Sequence, residues 1–536
     1  MRRAAALVAV LLSGCAERAS KTPANGWFTE IALQAGIEFR HDPGLKGEFH
    51  MPEIMGAGCA LADTDIDGDL DVVLVQSSGG PHELFRNDLI PSGRLHFTKL
   101  DGALGGAKGY GMGVATGDFD GDGLTDLFIS QFGNDLLLRN AGANRFSDAT
   151  TRAGVGDARW STSSVFLDYD RDGRLDLFVL HYVDFTYRNH IRCSTPAGLP
   201  DYCTPRAYHP VAAALYRNEG DGRFRDVSAS AGITSARGPG LGVAVIDAND
   251  DSWPDLFVAN DSMANLLWIN NKNGTFREEG LLSGAALSED GIAKAGMGVA
   301  AADYDADGDE DLLVLNLKHE GASVFRRDRP GQFTDASLSA GVRSATYPFT
   351  GFGVGWFDFD HDGRIDLFVA NGSVTRDGPN LDSFRQRNQI LQGREGNAFA
   401  DVTAGAGAAM QLEEVSRGAA FGDIDNDGDI DILVSNNNGP ARLLRNDQGP
   451  ASHWLLLDIQ PSDGAVVRLD RQGAPPLVRR SRRDGSYLSS SDPRVHFGLG
   501  AATRYEGIIV TWPDGHQQRL PGGETNRVLQ IKKGRP

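Results

Sequence analysis

Cysteine is rare in this sequence, with four residues among 536, and this scarcity excludes a small domain held together by many disulfides. No apolar run reaches about 18 residues, so an ordinary transmembrane helix is excluded as well. Basic residues are outnumbered, with 52 Lys and Arg against 72 Asp and Glu, and the formal charge of −20 argues against a nucleic acid partner. The hydrophobic content of 40% is enough for a core, and the length favours several domains or one large repeat architecture.

The N-terminus predicts an export signal. Arg2 and Arg3 precede the apolar stretch 4–12, and a positively charged region followed by a short hydrophobic one is typical of secretory signals. We therefore predict a signal peptide over residues 1–14 and a polar linker over residues 15–26.

The sequence Leu12-Ser13-Gly14-Cys15 resembles a bacterial lipobox. The resemblance implies cleavage before Cys15 and attachment of lipid to its sulfur; a plain signal peptide with a chance cysteine is the alternative. Stable anchoring takes more than one acyl chain, and Ala16 in the place of a retaining Asp favours the outer membrane. We therefore expect an extracytoplasmic protein that reaches the membrane through its lipid anchor.

An Asp-rich nonapeptide recurs seven times, with starts about 50 to 80 residues apart. Asp occupies positions 1, 3, 5 and 9, with one Asn, and Gly occupies position 6 in all copies but one. We call these segments loops 1 to 7 in chain order. Their candidate ligands are Asp63, Asp65, Asp67, Asp69 and Asp71; Asp118, Asp120, Asp122 and Asp126; Asp168, Asp170, Asp172 and Asp176; Asp247, Asn249, Asp251 and Asp255; Asp303, Asp305, Asp307 and Asp311; Asp358, Asp360, Asp362 and Asp366; and Asp423, Asp425, Asp427 and Asp431.

The segments between the loops predict four short strands per unit of about 50 residues, the size of one propeller blade. Each unit ends in a strand that begins with Phe, but the last unit has none and the chain opens with one at 28–37. We predict an all-β protein with a seven-bladed β-propeller over residues 27–450, closed by the N-terminal strand, and a small β-sandwich-like domain over residues 451–536. An open solenoid is the competing interpretation of the propeller region.

The loops are candidate calcium sites. Ca²⁺ takes about six to eight oxygen ligands, and several carboxylates in one turn are unfavourable without a counter-charge. Zinc is disfavoured, because no loop contains Cys and His361 is the one His within a loop. The alternative is a set of polar turns in which each Asp bonds its own backbone. We predict about seven Ca²⁺ sites.

Loop 4 departs from the pattern. Asn249 replaces an Asp, Ser252 replaces the Gly, and Pro254 follows within the loop. The site that includes Asp247 is therefore expected to bind calcium most weakly.

The loops and their flanking strands resemble the FG-GAP/VCBS repeats of integrin-α-type propellers. The resemblance implies that the side chains at positions 1, 3, 5 and 9 and the carbonyl of position 7 hold Ca²⁺. Residues 485–500 and Trp512-Pro513-Asp514-Gly515 resemble the ASPIC/UnbV domain. Together the two parts resemble a bacterial member of the cartilage acidic protein family.

Cys193 and Cys203 lie in a Pro-rich insertion, residues 181–212. Outside the cytoplasm we expect them to form a disulfide. The insertion is rich in aromatic residues, so it is either a ligand site or a packed lid. Cys59 lies in a Gly-rich strand and is expected to be a small buried residue.

The C-terminal segment contains a basic cluster and three residues of types that are common in active sites. The basic cluster 479–483 is interpreted as a solvated strand edge, with binding of an anionic glycan or docking on the acidic propeller as alternatives. Tyr487, Asp492 and His496 are interpreted as turn and strand residues of the family pattern rather than catalytic groups.

The sequence identifies metal sites but no substrate site, and it assigns no catalytic residue. The leading hypothesis is a calcium-binding extracytoplasmic lipoprotein whose propeller is a scaffold for binding a protein or a glycan. One alternative is a secreted Ca²⁺-dependent enzyme acting on polysaccharide, which needs two carboxylates facing each other across a cleft. Another is a cell-surface adhesion or structural protein.

Overall fold

The computed structural model describes residues 26–78, 80–375, 384–448 and 452–534. The predicted signal peptide and Cys15 lie outside the described residues. Strands dominate, and the prediction of an all-β fold is confirmed. The described α-helices are short, at Pro52–Met55, Leu89–Ser92, Thr150–Ala153, Gly280–Ser283 and Val342–Thr346. None of them could span a bilayer.

Seven four-stranded antiparallel sheets are found in the described residues before 449. We number the sheets 1 to 7 and their strands first to fourth. The strands are Cys59–Ala62, Asp71–Leu74, Glu83–Asn87 and Phe97–Lys99 in sheet 1; Gly111–Gly117, Asp126–Gln131, Leu136–Asn140 and Phe146–Asp148 in sheet 2; Ser161–Leu167, Asp176–His181, Ala214–Gly220 and Arg223–Asp226 in sheet 3; Gly240–Ile246, Asp255–Asn260, Leu266–Asn270 and Phe276–Glu278 in sheet 4; Val299–Ala302, Asp311–Val314, Ser323–Arg329 and Gln332–Asp335 in sheet 5; Gly351–Phe357, Asp366–Asn371, Gln389–Arg394 and Ala398–Asp401 in sheet 6; and Ser416–Gly422, Asp431–Asn436, Arg442–Asn446 and Phe28–Glu30 in sheet 7.

The sheets have a propeller-like arrangement. The first strands of successive sheets lie side by side, and the first strand of sheet 7 also contacts that of sheet 1. Sheet 7 takes its fourth strand from the start of the chain, where Phe28 pairs with Asn446 and Glu30 pairs with Leu444. Apolar side chains on both faces of the second strands, such as Leu127 and Phe128, are buried because each sheet packs between two neighbours.

The segment from His453 to Lys532 forms a second unit, which we call the C-terminal unit. Its two sheets contain the strands His453–Gln460, Val495–Gly500 and Val528–Lys532, and the strands Val466–Arg471, Ala474–Arg480, Arg504–Thr511 and Gln517–Glu524. Leu457, Val467 and Trp512 are among the buried side chains that both sheets contribute to one core. This is a small β-sandwich.

Residues 484–492 leave the C-terminal unit and enter the centre of the propeller-like ring; we call this segment the plug. It bonds the first strand of every sheet, through Cys59, Val114, Ser163, Val245, Val299, Val354 and Phe421. The carbonyl of Leu488 accepts a hydrogen bond of 3.0 Å from the N–H of Val114. Gly58 allows this approach, because a Cβ there would lie 1.6 Å from the Leu488 carbonyl oxygen.

The plug was not predicted from the sequence. Tyr487 and Asp492, interpreted above as turn and strand residues, are buried parts of it. The hydroxyl of Tyr487 donates to the carbonyl of Met55 at 3.2 Å, at the far end of the ring centre. His496 does lie in a strand, Val495–Gly500.

Candidate functional site

The seven Asp loops all lie between the first and second strands of their sheets, and therefore on one rim of the ring. The Asp at position 9 is the first residue of each second strand, and it is fully buried in every sheet. The loops therefore combine carboxylates at a solvent-facing turn with one carboxylate at the edge of the core.

Two carboxylates hold each loop closed. In loop 1, Asp63 at position 1 accepts hydrogen bonds from the backbone N–H groups of Asp67 and Gly68, at 3.2 and 3.1 Å. Asp71 at position 9 accepts from the backbone N–H groups of Thr64 and Asn87, at 3.1 and 2.9 Å, and so connects the loop to the third strand. The same four hydrogen bonds recur in all seven loops.

The turn in each loop needs two residues with positive φ. Position 6 is one of them, and Ser252 in loop 4 adopts φ 68° where the other loops have Gly. Position 4 is the other, and it is filled by side chains as large as Ile66, Arg171 and His361 at φ 56–60°. The Gly pattern predicted the first position, whereas nothing in the residue types marked the second.

One oxygen in most loops has no partner. The Oδ1 atoms of the position-3 carboxylates are shielded from solvent and accept no hydrogen bond in loops 1, 2, 3, 5 and 7, at Asp65, Asp120, Asp170, Asp305 and Asp425. In several loops three carboxylates place one oxygen each within 4.8 Å of one another, among them Asp303, Asp305 and Asp311. Unpaired carboxylate oxygens converging on one point fit a hard cation such as Ca²⁺, and these clusters could hold a metal ion.

The electrostatics agree with this fit. Burial first, and neighbouring carboxylates in addition, raise the pKa of Asp71 to about 8, of Asp126 to about 8 and of Asp311 to about 9. A raised pKa means that the charged form is disfavoured in the protein alone. A cation among these carboxylates would relieve that cost.

Arginines from the third strands lie beside the loops. Arg217 binds Asp170 at 2.6 Å and Asp172 at 3.0 Å, and Arg139 pairs in the same way with Asp120 and Asp122. Leu-Arg-Asn was recognised in the sequence as a strand signature, but this role of its Arg was not predicted. Loop 4 has Ile269 at the equivalent place.

The Asn of the same signature connects neighbouring loops. The side-chain amide of Asn140 donates to the carbonyl of Thr64, at position 2 of the preceding loop, at 2.7 Å. The same contact is made by Asn87, Asn218, Asn270 and Asn446, at 2.8–2.9 Å. A loop is therefore bonded both to its own sheet and to the next one.

The C-terminal unit sits on the rim that carries the loops. Arg480 and Arg482 of the basic cluster both pair with Glu310 of loop 5, and Arg479 donates to the carbonyl of Asp303 at 3.4 Å. The interpretation of this cluster as a solvated strand edge is therefore wrong. In the structure the cluster docks on the acidic propeller, which was the alternative interpretation. The attraction of opposite charges in a partly desolvated contact explains the difference.

Further contacts extend this cover to loops 6 and 7. The N–H of Gly500 donates to the carbonyl of His361 at 2.7 Å. Arg494 donates to the carbonyl of Asp423 at 2.8 Å and to the side chain of Asn426 at 2.9 Å. The plug and these contacts together occupy the ring centre and much of the loop rim.

The opposite rim carries a cap, which we define as residues 41–56 and 181–212. The cap packs on the starts of the first strands and on the tip of the plug, in one apolar cluster with Met112, Leu241 and Tyr487. Cys193 and Cys203 form a disulfide within it, while Cys59 is a free buried thiol near the plug. The insertion is thus a packed lid over the ring centre.

The outer side of the cap exposes apolar side chains among charged ones. Leu45, Tyr187 and Ile191 are 52%, 51% and 44% exposed. Tyr187 packs edge-on against His50 with ring centroids 4.9 Å apart, and the Nζ of Lys46 lies 5.7 Å from the centre of its ring. An exposed aromatic ring flanked by an imidazole and an ammonium group is suited to contact a partner.

The comparison with known families divides the chain into the same two parts as the structure. Residues 63–129, 118–179, 247–314 and 303–369 match the family model of the FG-GAP-like repeat. Residues 460–536 match the model of the ASPIC and UnbV domain. Both resemblances inferred from the sequence are confirmed.

Similar whole proteins are known. Cartilage acidic protein 1 of Homo sapiens is 27% identical over 524 residues, which cover 90% of this chain and 72% of that protein. Its counterpart in Mus musculus is 26% identical over 525 residues, covering 90% and 74%. The solved structure of an Agrocybe aegerita lectin, which recognises non-reducing terminal N-acetylglucosamine, is 15% identical and covers 73% of this chain and 95% of the lectin, with a TM-score of 0.38.

Proposed function

Because the chain consists of FG-GAP-like repeats followed by an ASPIC and UnbV domain, we propose that it is a calcium-stabilised binding scaffold outside the cytoplasm. It binds a protein or a glycan rather than catalysing a reaction. The observation that carries this proposal is the occupation of the ring centre by the plug, which leaves no open central channel among the described residues and directs attention to exposed surfaces such as the cap.

Calcium has a structural role in this proposal. The side chains at positions 1, 3, 5 and 9 would hold the ion, as in Asp303, Asp305, Asp307 and Asp311 of loop 5. The unpartnered position-3 oxygens and the raised pKa values of the position-9 carboxylates support it. A bound ion would stiffen the rim on which the C-terminal unit sits, and so keep the plug in place.

The proposed location rests on the sequence. The segment that resembles a lipobox would place lipid on Cys15, and the linker to residue 26 would separate the membrane from the ring. The disulfide between Cys193 and Cys203 suits an oxidising compartment. Metabolic labelling with a fatty acid, lost in Cys15→Ser, tests the anchor independently of the binding proposal.

The binding surface is tested by a matched pair of tyrosine variants. Tyr187→Ala removes the exposed ring of the cap, whereas Tyr347→Ala removes a ring of similar exposure, 47%, outside the cap. We expect the full chain to bind to a glycan array or to an array of cell-surface proteins. Tyr187→Ala should reduce the affinity at least about tenfold, and Tyr347→Ala should leave it unchanged.

The outcomes separate the candidate functions. Binding on the glycan array identifies a glycan partner, and binding on the protein array identifies a protein partner. Equal loss of binding in both variants would refute the cap as the surface. Cleavage of a polysaccharide by the full chain would refute a purely binding role and favour the calcium-dependent enzyme.

A further inference from the structure

Side chains from three separate parts of the chain lie together where the C-terminal unit covers the loop rim, and one of them, His361, is close to both of the others. His361 is at position 4 of loop 6, Asp429 is at position 7 of loop 7, and His496 lies in the strand Val495–Gly500. None of them is among the carboxylates at positions 1, 3, 5 and 9. We propose that these three residues bind one zinc ion, distinct from the ions of the Asp loops.

The two imidazoles are buried with unsatisfied nitrogens. His361 is 2% exposed and His496 is 7% exposed, and the Nε2 atom of each has no hydrogen-bond partner. Most buried polar atoms in proteins have a partner, and each one left without costs about 1–3 kcal/mol. Two unsatisfied ring nitrogens in adjacent imidazoles therefore indicate a missing ligand.

The spacing of the groups matches a shared ion. Ligand atoms about 2.0–2.1 Å from a tetrahedral zinc lie about 3.3 Å from each other, and two imidazole rings bound through Nε2 have centroids about 5 Å apart. The Nε2 of His361 lies 3.5 Å from the Oδ1 of Asp429. The ring centroids of His361 and His496 are 4.9 Å apart.

The ligand chemistry selects zinc over calcium. Calcium prefers oxygen ligands, whereas imidazole nitrogen with one carboxylate suits zinc and its first-row neighbours. The backbone of Gly428 also lies beside both rings.

One neighbouring charge opposes the ion and two favour it. The guanidinium of Arg479 lies near His496, and its positive charge opposes a cation there. The same guanidinium is close to the carboxylates of Asp303 and Asp358, which offset its charge. A zinc ion at this place would join loops 6 and 7 to the C-terminal unit.

The test is a zinc titration of the full chain in excess Ca²⁺, so that the Asp loops are already filled. We expect one tight zinc site by calorimetry and visible d–d absorption bands when Co²⁺ takes the place of zinc. Loss of an outer-shell partner alone costs 10–100-fold in metal affinity, so His496→Gln and His361→Asn should each weaken zinc binding at least about 100-fold.

A buried histidine elsewhere serves as the control. His41 is also 2% exposed, but its Nε2 is paired with the hydroxyl of Ser77 at 2.8 Å, so His41→Gln should leave zinc binding unchanged. Asp429→Asn, which keeps the side-chain size, provides a third ligand variant if a histidine variant does not fold. Absence of the cobalt bands, or zinc affinity that is equal in the ligand variants and the wild type, would overturn the proposal. Calcium content, measured in parallel, reports on the Asp loops alone.

Discussion

The side-chain amide of Asn87 donates a hydrogen bond of 2.9 Å to the carbonyl of Ile424, 337 positions later in the chain. Asn87 ends the third strand of sheet 1, and Ile424 is at position 2 of loop 7. The backbone N–H of the same Asn is bonded to Asp71 of loop 1 at 2.9 Å. One residue thus couples the first loop to the last, where the two ends of the repeat array meet.

Replacing Asn87 should therefore weaken the junction of sheets 1 and 7. Asn87→Ala leaves the buried carbonyl of Ile424 without its partner, and we expect a loss of about 1–3 kcal/mol in the free energy of unfolding. Chemical denaturation in the presence of Ca²⁺ measures it. Asn134→Ala, in an exposed turn of sheet 2, should cost less than about 0.5 kcal/mol; equal losses in the two variants would contradict the coupling.

The unequal loops predict unequal calcium sites. Asp247→Ala and Asp303→Ala remove the position-1 ligand from loops 4 and 5. Loop 4 has Asn249 in place of a carboxylate, so its field for a cation is weaker. We expect the smaller decrease in melting temperature for Asp247→Ala in Ca²⁺, with the difference between the variants reduced in EDTA.

Each variant of this pair should also change calcium content. Atomic emission of the dialysed proteins should show one ion fewer in Asp303→Ala and a smaller change in Asp247→Ala. If the two variants lose calcium and stability equally, loop 4 is a full site in spite of Asn249.

The sequence predicted the repeated loops and strands, but it did not predict the contacts that join one repeat to the next. The Asp spacing and the position-6 Gly depend on local turn chemistry, which is visible within nine residues. The roles of Asn87 and Arg217 depend on which strands become neighbours, and a strand signature does not contain that information. The same holds for Ser252, which adopts positive φ where the pattern has Gly because the four hydrogen bonds of the loop hold it there.

The largest difference between the sequence prediction and the structure lies in the C-terminal unit. Residues 484–492 are short, polar and rich in Ser, which is the composition of a surface turn. They are buried because Ser hydroxyls and main-chain groups such as those of Ser486 and Ser490 complete the hydrogen bonds of the first strands in the ring centre. Likewise, the sequence does not show that Glu310 faces Arg480 and Arg482, so these arginines were predicted to be solvated.

The contact between Glu310 and the two arginines predicts a loss of stability in acid. Burial by itself would raise the pKa of Glu310, but Arg480 and Arg482 lower it from 4.5 to about 2. A lowered pKa in the folded state gives stability that is present above about pH 4.5 and is lost as the pH falls toward 2. The full contribution is about 3 kcal/mol, since one pKa unit corresponds to about 1.4 kcal/mol.

Glu310→Gln isolates this contribution. The variant should be less stable than the wild type at neutral pH, because two arginines lose their counter-charge, and the difference should shrink between pH 4.5 and 2. Denaturation curves over this range, with Glu395→Gln in an exposed turn as the control, measure it. A difference that does not change with pH would mean that Glu310 stabilises through packing and not through charge.

The plug predicts an unusual sensitivity at a glycine of sheet 1. Gly58→Ala would place a Cβ 1.6 Å from the carbonyl oxygen of Leu488, so the plug or the first strand must move. Overpacking of this kind costs about 1–3 kcal/mol or more, and the hydrogen bond from Val114 to Leu488 would be lost with it. We expect a lower melting temperature and faster proteolysis within 484–492, located by mass spectrometry. Gly405→Ala, where a Cβ meets no atom within 4 Å, should change neither; a stable, protease-resistant Gly58→Ala would show that the ring centre does not depend on the plug.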